Sequence, residues 1–297
     1  MPNQDSEVPS LESVTIANMP FKWSSSMFST STLKELSLRA LPSSTIHLDR
    51  IQHILTSNAE TLTSVSLFFP AAQAPILPLN PFTLPSLTSF SLSGHHLLVS
   101  LIDHLTLPAL TSLALRLEAG RHHEPLEETL SNLLTRSGRP TVTSLNITHG
   151  PTAIFYGTPG GGNGPFAPWS FLAELPTLTH LTVTHTTIEP LFELLTSPDE
   201  ELNNTWLCPE LTSLTLISCH QHNEGILKLV GMVDARNPAV DGQSTTGLGL
   251  GLGGSAGGVK RIRNLEVRNT ISVGMDVLEW LKSRVENVVV VEPPCDK

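Results

Sequence analysis

Apolar residues recur along this chain in one six-place pattern: apolar, two polar or small, apolar, one polar or small, apolar. The pattern starts at Leu11 (LESVTI), Leu33 (LKELSL), Leu62 (LTSVSL), Leu87 (LTSFSL), Leu110 (LTSLAL), Val142 (VTSLNI), Leu178 (LTHLTV), Leu211 (LTSLTL), Ile262 (IRNLEV) and Val285 (VENVVV). Successive starts lie 22, 29, 25, 23, 32, 36, 33, 51 and 23 residues apart. A phrase returning at such periods predicts a repeat architecture. Within it, apolar fourth and sixth places alternate with polar third and fifth places, the period of a half-buried strand. Leu211, Leu214 and Leu216 are expected to face a core, with Ser213 and Thr215 on the other side.

Most connectors change to a helical period. Leu98, Leu101, Ile102 and Leu105 fall at i, i+3, i+4 and i+7, as do Ile188, Leu191, Phe192 and Leu195, and Ile226, Leu229, Val230 and Val233. Leu126, Leu130, Leu133 and Leu134 form a similar stripe, and Pro168 is placed to open a short helix carrying Phe171, Leu172 and Leu175. The segment from Pro70 to Pro85 holds five prolines and is expected to run extended.

Strand, helix, strand at this spacing predicts parallel strands with crossovers on one side. A barrel or doubly wound sheet would cover both strand faces and give continuous apolar runs. Here one face carries Ser64, Ser66, Ser89, Ser91, Ser144, Asn146, Thr182, Ser213 and Thr215, which belong against water. The expected fold is therefore an α/β open solenoid of about ten parallel strands. Burying three side chains contributes about 1.5–3 kcal/mol each. Ordering each residue costs about 1–2 kcal/mol, so one repeat cannot fold alone. The domain expectation is a tail at 1–10, one solenoid over 11–291 with flexible insertions near 150–167 and 237–258, and a tail at 292–297.

Composition narrows the function classes. A net charge of −10 and a pI near 5.6 argue against general nucleic-acid binding. No run of 18 apolar residues exists to cross a bilayer, and the start MPNQDSEVPS has no secretory pattern. Three cysteines make no disulfide framework. An intracellular protein, cytoplasmic or nuclear and monomeric on its own, is expected.

The phrase L-x-x-L-x-L with helices behind it resembles the leucine-rich repeat, in its ribonuclease-inhibitor-like branch. LTSLTLISCHQHNEGILKLV, with Leu211, Leu214, Leu216, Cys219, Gly225, Ile226 and Leu229, is similar to the cysteine-containing repeats of F-box/leucine-rich-repeat proteins. LPSLTSF, LPALTSL and LPTLTHL resemble F-box proteins predicted in fungal genomes. The resemblance implies a horseshoe with strands on the concave face and helices and irregular segments on the convex face. It also implies a non-enzymatic role in which the chain binds another protein, as the substrate-recognition part of a ubiquitin-ligase adaptor. No F-box is visible, and the strand-following Asn or Cys of the family occurs only as Cys219. A stand-alone scaffold or inhibitor is the alternative, and an α/β hydrolytic enzyme a third.

Other motifs carry less. GLGLGLGGSAGG contains a G-x-G-x-x-G match at Gly249, Gly251 and Gly254, without the strand before and helix after that phosphate cradling needs. Cys219, His220 and His222 lack further paired ligands for zinc, so no cofactor or metal is expected. The candidate protein-binding residues are Arg39, Phe68, Phe69, Arg116, Phe155, Tyr156, His180 and Arg268. Aromatics and arginine dominate interface hot spots. Arg39 and Arg116 stand three strands apart, about 14 Å. That is too far to grip one phosphate and suits separate points on a large partner.

Overall fold

The structure, a computed structural model, describes residues 11–19, 22–29, 32–118, 126–149, 169–198, 205–219, 224–238, 259–270 and 272–292. The expected tail 1–10, the insertion 150–167, and nearly all of 237–258 and 292–297 lie outside the described residues. The chain divides into two compact units, Met1–Pro140 and Thr141–Lys297.

The first unit runs β1 (Ser13–Ala17), β2 (Glu35–Arg39), β3 (Ile46–His47), α1 (Leu48–Thr56), β4 (Ser64–Phe69), β5 (Ala72–Gln73), β6 (Phe82–Thr83), β7 (Ser89–Gly94), α2 (Val99–Ile102), β8 (Leu105–Thr106), β9 (Ser112–Leu117) and α3 (Leu126–Arg136). The five strands that carry the six-place phrase pair in the order β1-β2-β4-β7-β9, every pair parallel. Register follows phrase position: Leu36, Val65, Phe90 and Leu113 are Cα partners on one line, and Leu38, Leu67, Leu92 and Leu115 on another. All eight are buried. A one-residue slip would turn every one of them to solvent, so burial fixes the register. The proline-rich connector is extended as expected, entering two short parallel pairs, β3 with β5 and β6 with β8.

The second unit continues with β10 (Ser144–His149), a 3-10 turn (Ser170–Glu174), β11 (His180–Thr184), α4 (Glu189–Thr196), β12 (Ser213–Ile217), α5 (Gly225–Arg236), β13 (Asn264–Arg268), α6 (Met275–Arg284) and β14 (Asn287–Val291). Its strands pair in chain order, again all parallel, with Leu145, Leu181, Leu214 and Leu265 buried on one line and Ile147, Val183, Leu216 and Val267 on the next. α4 and α5 bury the predicted stripes through Leu191, Phe192, Leu195, Leu229 and Val233. Among the described residues no helix is long and apolar enough to cross a membrane.

The recurring threonine at the second place of the phrase has a structural cause. Thr63, Thr88, Thr111, Thr179 and Thr212 each donate Oγ1–H to the carbonyl of the preceding strand's second place: Lys34, Thr63, Thr88, Thr143 and Thr179, at 2.9–3.3 Å. The same oxygens accept backbone N–H bonds, as Lys34 O does from Thr63 and Ser64 at 2.8 and 3.0 Å. A β-branched hydroxyl residue favours extended backbone and supplies this extra donor.

Strand exits follow a rule of their own. Asn18, His185, Ser218 and Asn269, two places after the last apolar residue, have φ of 48–57°, and Gly94 in the same place has φ 116°. The left-handed turn aims each non-glycine N–H at the next strand, for example Asn18 N to Arg39 O at 2.9 Å and Asn269 N to Val291 O at 2.7 Å. The place after it holds Thr186, Cys219 and Thr270 in the second unit, all buried. Thr270 Oγ1 accepts Cys219 N–H at 3.1 Å, so small polar groups close the turn row from inside.

Candidate functional site

On the first unit the polar places of the phrase align into three rows. Glu35, Ser64, Ser89 and Ser112 form one, Ser37, Ser66, Ser91 and Ala114 the second, and Arg39, Phe68, Ser93 and Arg116 the third. None of the seven serines is buried. Short hydroxyls keep the surface low, and each both donates and accepts. The serine field is bounded at the strands' C-terminal ends by the row that holds both arginines.

That row has the features of an anchor. The Arg39 guanidinium lies over the Phe68 ring, 4.8 Å from its centroid, an arrangement that pre-orients both groups. Arg39 and Arg116 are exposed, and neither has a carboxylate in ion-pair range among the described residues. The other sheet-face cations differ: Lys34 pairs with Glu12 at 2.9 Å, Arg263 with Glu286 at 3.9 Å, and Arg268 with Glu266. Among the described residues, Arg39 and Arg116 are thus two uncompensated positive points on an acidic chain. Beyond Ser93, the His95 and His96 rings stack with centroids 4.1 Å apart. Burial holds His95 below the usual imidazole range, helped by His96 and opposed by Glu118, and its Nδ1 accepts Leu97 N–H at 3.3 Å. Neutral His95 thus supports the strand end.

The remaining predicted residues are not gathered there. Phe69 is fully buried, its ring edge-on to Trp23 at 5.4 Å, so it belongs to the core and not to the exposed row. Alternation explains the correction: Phe68 and Phe69 are neighbours in one strand and must face opposite ways. Trp169 is likewise buried, against Phe171. Phe155 and Tyr156 lie outside the described residues, as do His220, His222 and the glycine-rich segment. In the second unit His180 is exposed in the row Ser144, His180, Ser213, Asn264, Asn287, with Nδ1 2.7 Å from Thr179 Oγ1. Arg268 sits in a different row, and its partner Glu266 also accepts from Thr215 Oγ1 at 3.4 Å. Arg268 is therefore already neutralised.

Cys219 is buried with Sγ 3.4 Å from Val183 O, and burial pushes its thiol above the usual range. Cys208 is buried too, its thiol pushed up to about 12 by desolvation. Among the described residues no group of three or more His, Cys, Asp or Glu is placed to hold a metal.

Sequence reasoning missed the polar residues that end the helical stripes. Asn58, Ser137 and Arg236 continue the apolar spacing of α1, α3 and α5 yet are polar and buried. Asn58 Nδ2 donates to Ile54 O at 3.0 Å and Phe28 O at 2.5 Å. Ser137 Oγ accepts Leu107 N–H at 2.9 Å. Arg236 donates to Leu195 O, Cys208 O and Leu207 O. Each ties a helix end to the backbone of another segment, at Phe28, at Leu107, and at Leu195, Leu207 and Cys208 respectively.

Comparison with protein-family models finds no match, and comparisons with curated proteins and with solved structures find none either.

Proposed function

We propose that the chain is a leucine-rich-repeat protein of the ribonuclease-inhibitor-like kind, with its strands along the concave face of a solenoid, and that it binds another protein without catalysing a reaction. The carrying observation is the row of Arg39, Phe68, Ser93 and Arg116 beside a serine field, with both arginines free of carboxylates among the described residues. The partner that fits presents acidic groups at points about 14 Å apart and hydrogen-bonding backbone between them. In the finer reading, which rests on the resemblance of the Cys219-containing repeat and of the LPSLTSF, LPALTSL and LPTLTHL phrases, the chain recognises ubiquitin-ligase substrates as an F-box-type adaptor. The alternative is a scaffold or inhibitor with one stable partner.

Affinity purification with the native chain and with the Arg39→Ala/Arg116→Ala variant tests this. Both side chains are exposed, so the unfolding midpoint is expected to stay unchanged. Recovery of the partner is expected to fall at least about ten-fold, since two lost anchors cost on the order of 1–2 kcal/mol each. Undiminished recovery would reject this row as the binding surface. Cullin-ligase components among the recovered proteins support the adaptor, and one stoichiometric partner supports the scaffold.

A further inference from the structure

β14 is last in the strand order of the second unit, and among the described residues β13 is its one strand neighbour. Its sequence, Asn287-Val288-Val289-Val290-Val291, holds no proline, no lysine and no glycine, and the charges that flank it are Glu286 and Glu292. The ladder in this unit leaves a defined set of groups unmet. Each strand offers the carbonyl of its second place to the third-place N–H of the next: Thr143 O to His180, Thr179 O to Ser213, Thr212 O to Asn264, and Arg263 O to Asn287. Glu286 O is the next in this series. By the alternation of a parallel ladder, the N–H and C=O of Val288 and Val290 point to the same open side.

Both layers behind that edge are under-covered. Val288 and Val290 occupy the places where Leu265 and Val267 are fully buried, yet they are only half-buried. Val289 and Val291 are 46% and 43% exposed. α6 buries Leu281 alone, leaving Leu278 and Trp280 half-buried and Met275 69% exposed, whereas α5 buries Leu229, Met232, Val233 and Arg236.

Charge selects the occupant. The valine run is bracketed by Glu286 and Glu292, both exposed. Glu286 has only a loose contact with Arg263, at 3.9 Å. Two natural arrangements of a second copy meet like charge. An antiparallel β14 pair centred on Val289 opposes Glu286 to Glu292, and β1 of another copy, added in the parallel register, brings Glu12 beside Glu286. A strand with a basic residue opposite each glutamate satisfies both ends. We propose that β14 accepts an extended segment of a different protein as an added parallel strand. That segment has Lys or Arg at its first and seventh residues and β-branched residues at its third and fifth. Backbone bonds to Glu286, Val288 and Val290 supply the affinity, and the two glutamates supply direction and selectivity.

The test uses the full chain and the labelled peptide Arg-Thr-Val-Thr-Val-Thr-Lys. Binding is followed by anisotropy, and amide exchange is read at Val288 and Val290. The expected result is saturable binding with slowed exchange at those two amides. Val290→Pro removes an edge N–H without touching the β13 ladder and should weaken binding at least about ten-fold. Should that variant fold poorly, Glu286→Lys/Glu292→Lys gives an independent answer on the surface. It should lose this peptide and gain one with Glu at both ends. No saturable binding, binding without protection of Val288 and Val290, equal binding by the charge-reversed chain, or self-association of the native chain through this edge would each overturn the proposal.

Discussion

Replacing Arg236 with Met is expected to destabilise the second unit by about 2–5 kcal/mol, the cost of leaving buried carbonyls without their charged donor. Arg236 is 1% exposed, and its Nε donates to Leu195 O at 3.0 Å and its Nη1 to Cys208 O at 3.2 Å, with Leu207 O as the third acceptor. The Trp206 ring lies 5.6 Å from the guanidinium. Desolvation lowers its pKa to about 10, which leaves it charged at neutral pH. Methionine fills a similar volume but leaves Leu195 O and Leu207 O without this donor and Cys208 O with the Leu211 N–H alone, at 3.0 Å, and each unmade bond costs about 1–3 kcal/mol. Lysine carries the charge without the planar fork and cannot serve three divergent acceptors, so Arg236→Lys should recover only part of the loss. Urea unfolding of the three proteins provides the measurement. Near-equal midpoints would mean that these carbonyls find other donors.

Gly94→Ala is the second large effect, expected at about 3 kcal/mol or more. At φ 116° a β-carbon on residue 94 would sit 2.0 Å from Phe69 O and 2.5 Å from Phe69 C. Both are backbone atoms, and Phe69 is anchored in the core, so nothing flexible can give way. Gly138 separates crowding from backbone conformation. Its φ is 75°, but a β-carbon there meets nothing within 4 Å. Gly138→Ala should cost only about 1 kcal/mol. Similar unfolding midpoints for the two variants would show that φ alone, and not the contact with Phe69, governs Gly94.

Parallel pairing and the sidedness of the strands were legible because period-two alternation is written in the side chains themselves. The Ser-Phe-Ser-Leu-Ser run of β7 admits only one buried face. α1 was not legible in the same way. Its stripe, Leu48, Ile51, Ile54 and Leu55, is broken by Gln52, which is buried because its Nε2 reaches Asn80 O across the fold. Phe69 was misread for a local reason, since two adjacent phenylalanines look alike until alternation assigns them to opposite faces. The pairing state of the arginines was beyond sequence. Arg268 is neutralised by Glu266, two residues away on the same strand face. Arg116 also has an acidic residue two places on, Glu118, and the pair forms no ion pair. Asn58, Ser137 and Arg236 were readable in principle, as polar residues placed in step with an apolar stripe. Such a residue signals a carbonyl or N–H needing a partner inside.

Thiol labelling of paired single-cysteine variants tests most directly whether the serine-bearing side of the first unit's sheet faces solvent while the leucines lie behind it. In a Cys295→Ser background, the native Cys208 and Cys219 are buried and contribute little reaction. Ser66→Cys and Ser91→Cys are predicted to react with a water-soluble maleimide at rates near those of a free thiol. Leu67→Cys and Leu92→Cys, one residue along, should react at least about a hundred-fold more slowly, as expected for sites reached only through opening of the fold. Equal rates within each pair, or faster labelling at the leucine positions, would contradict the account.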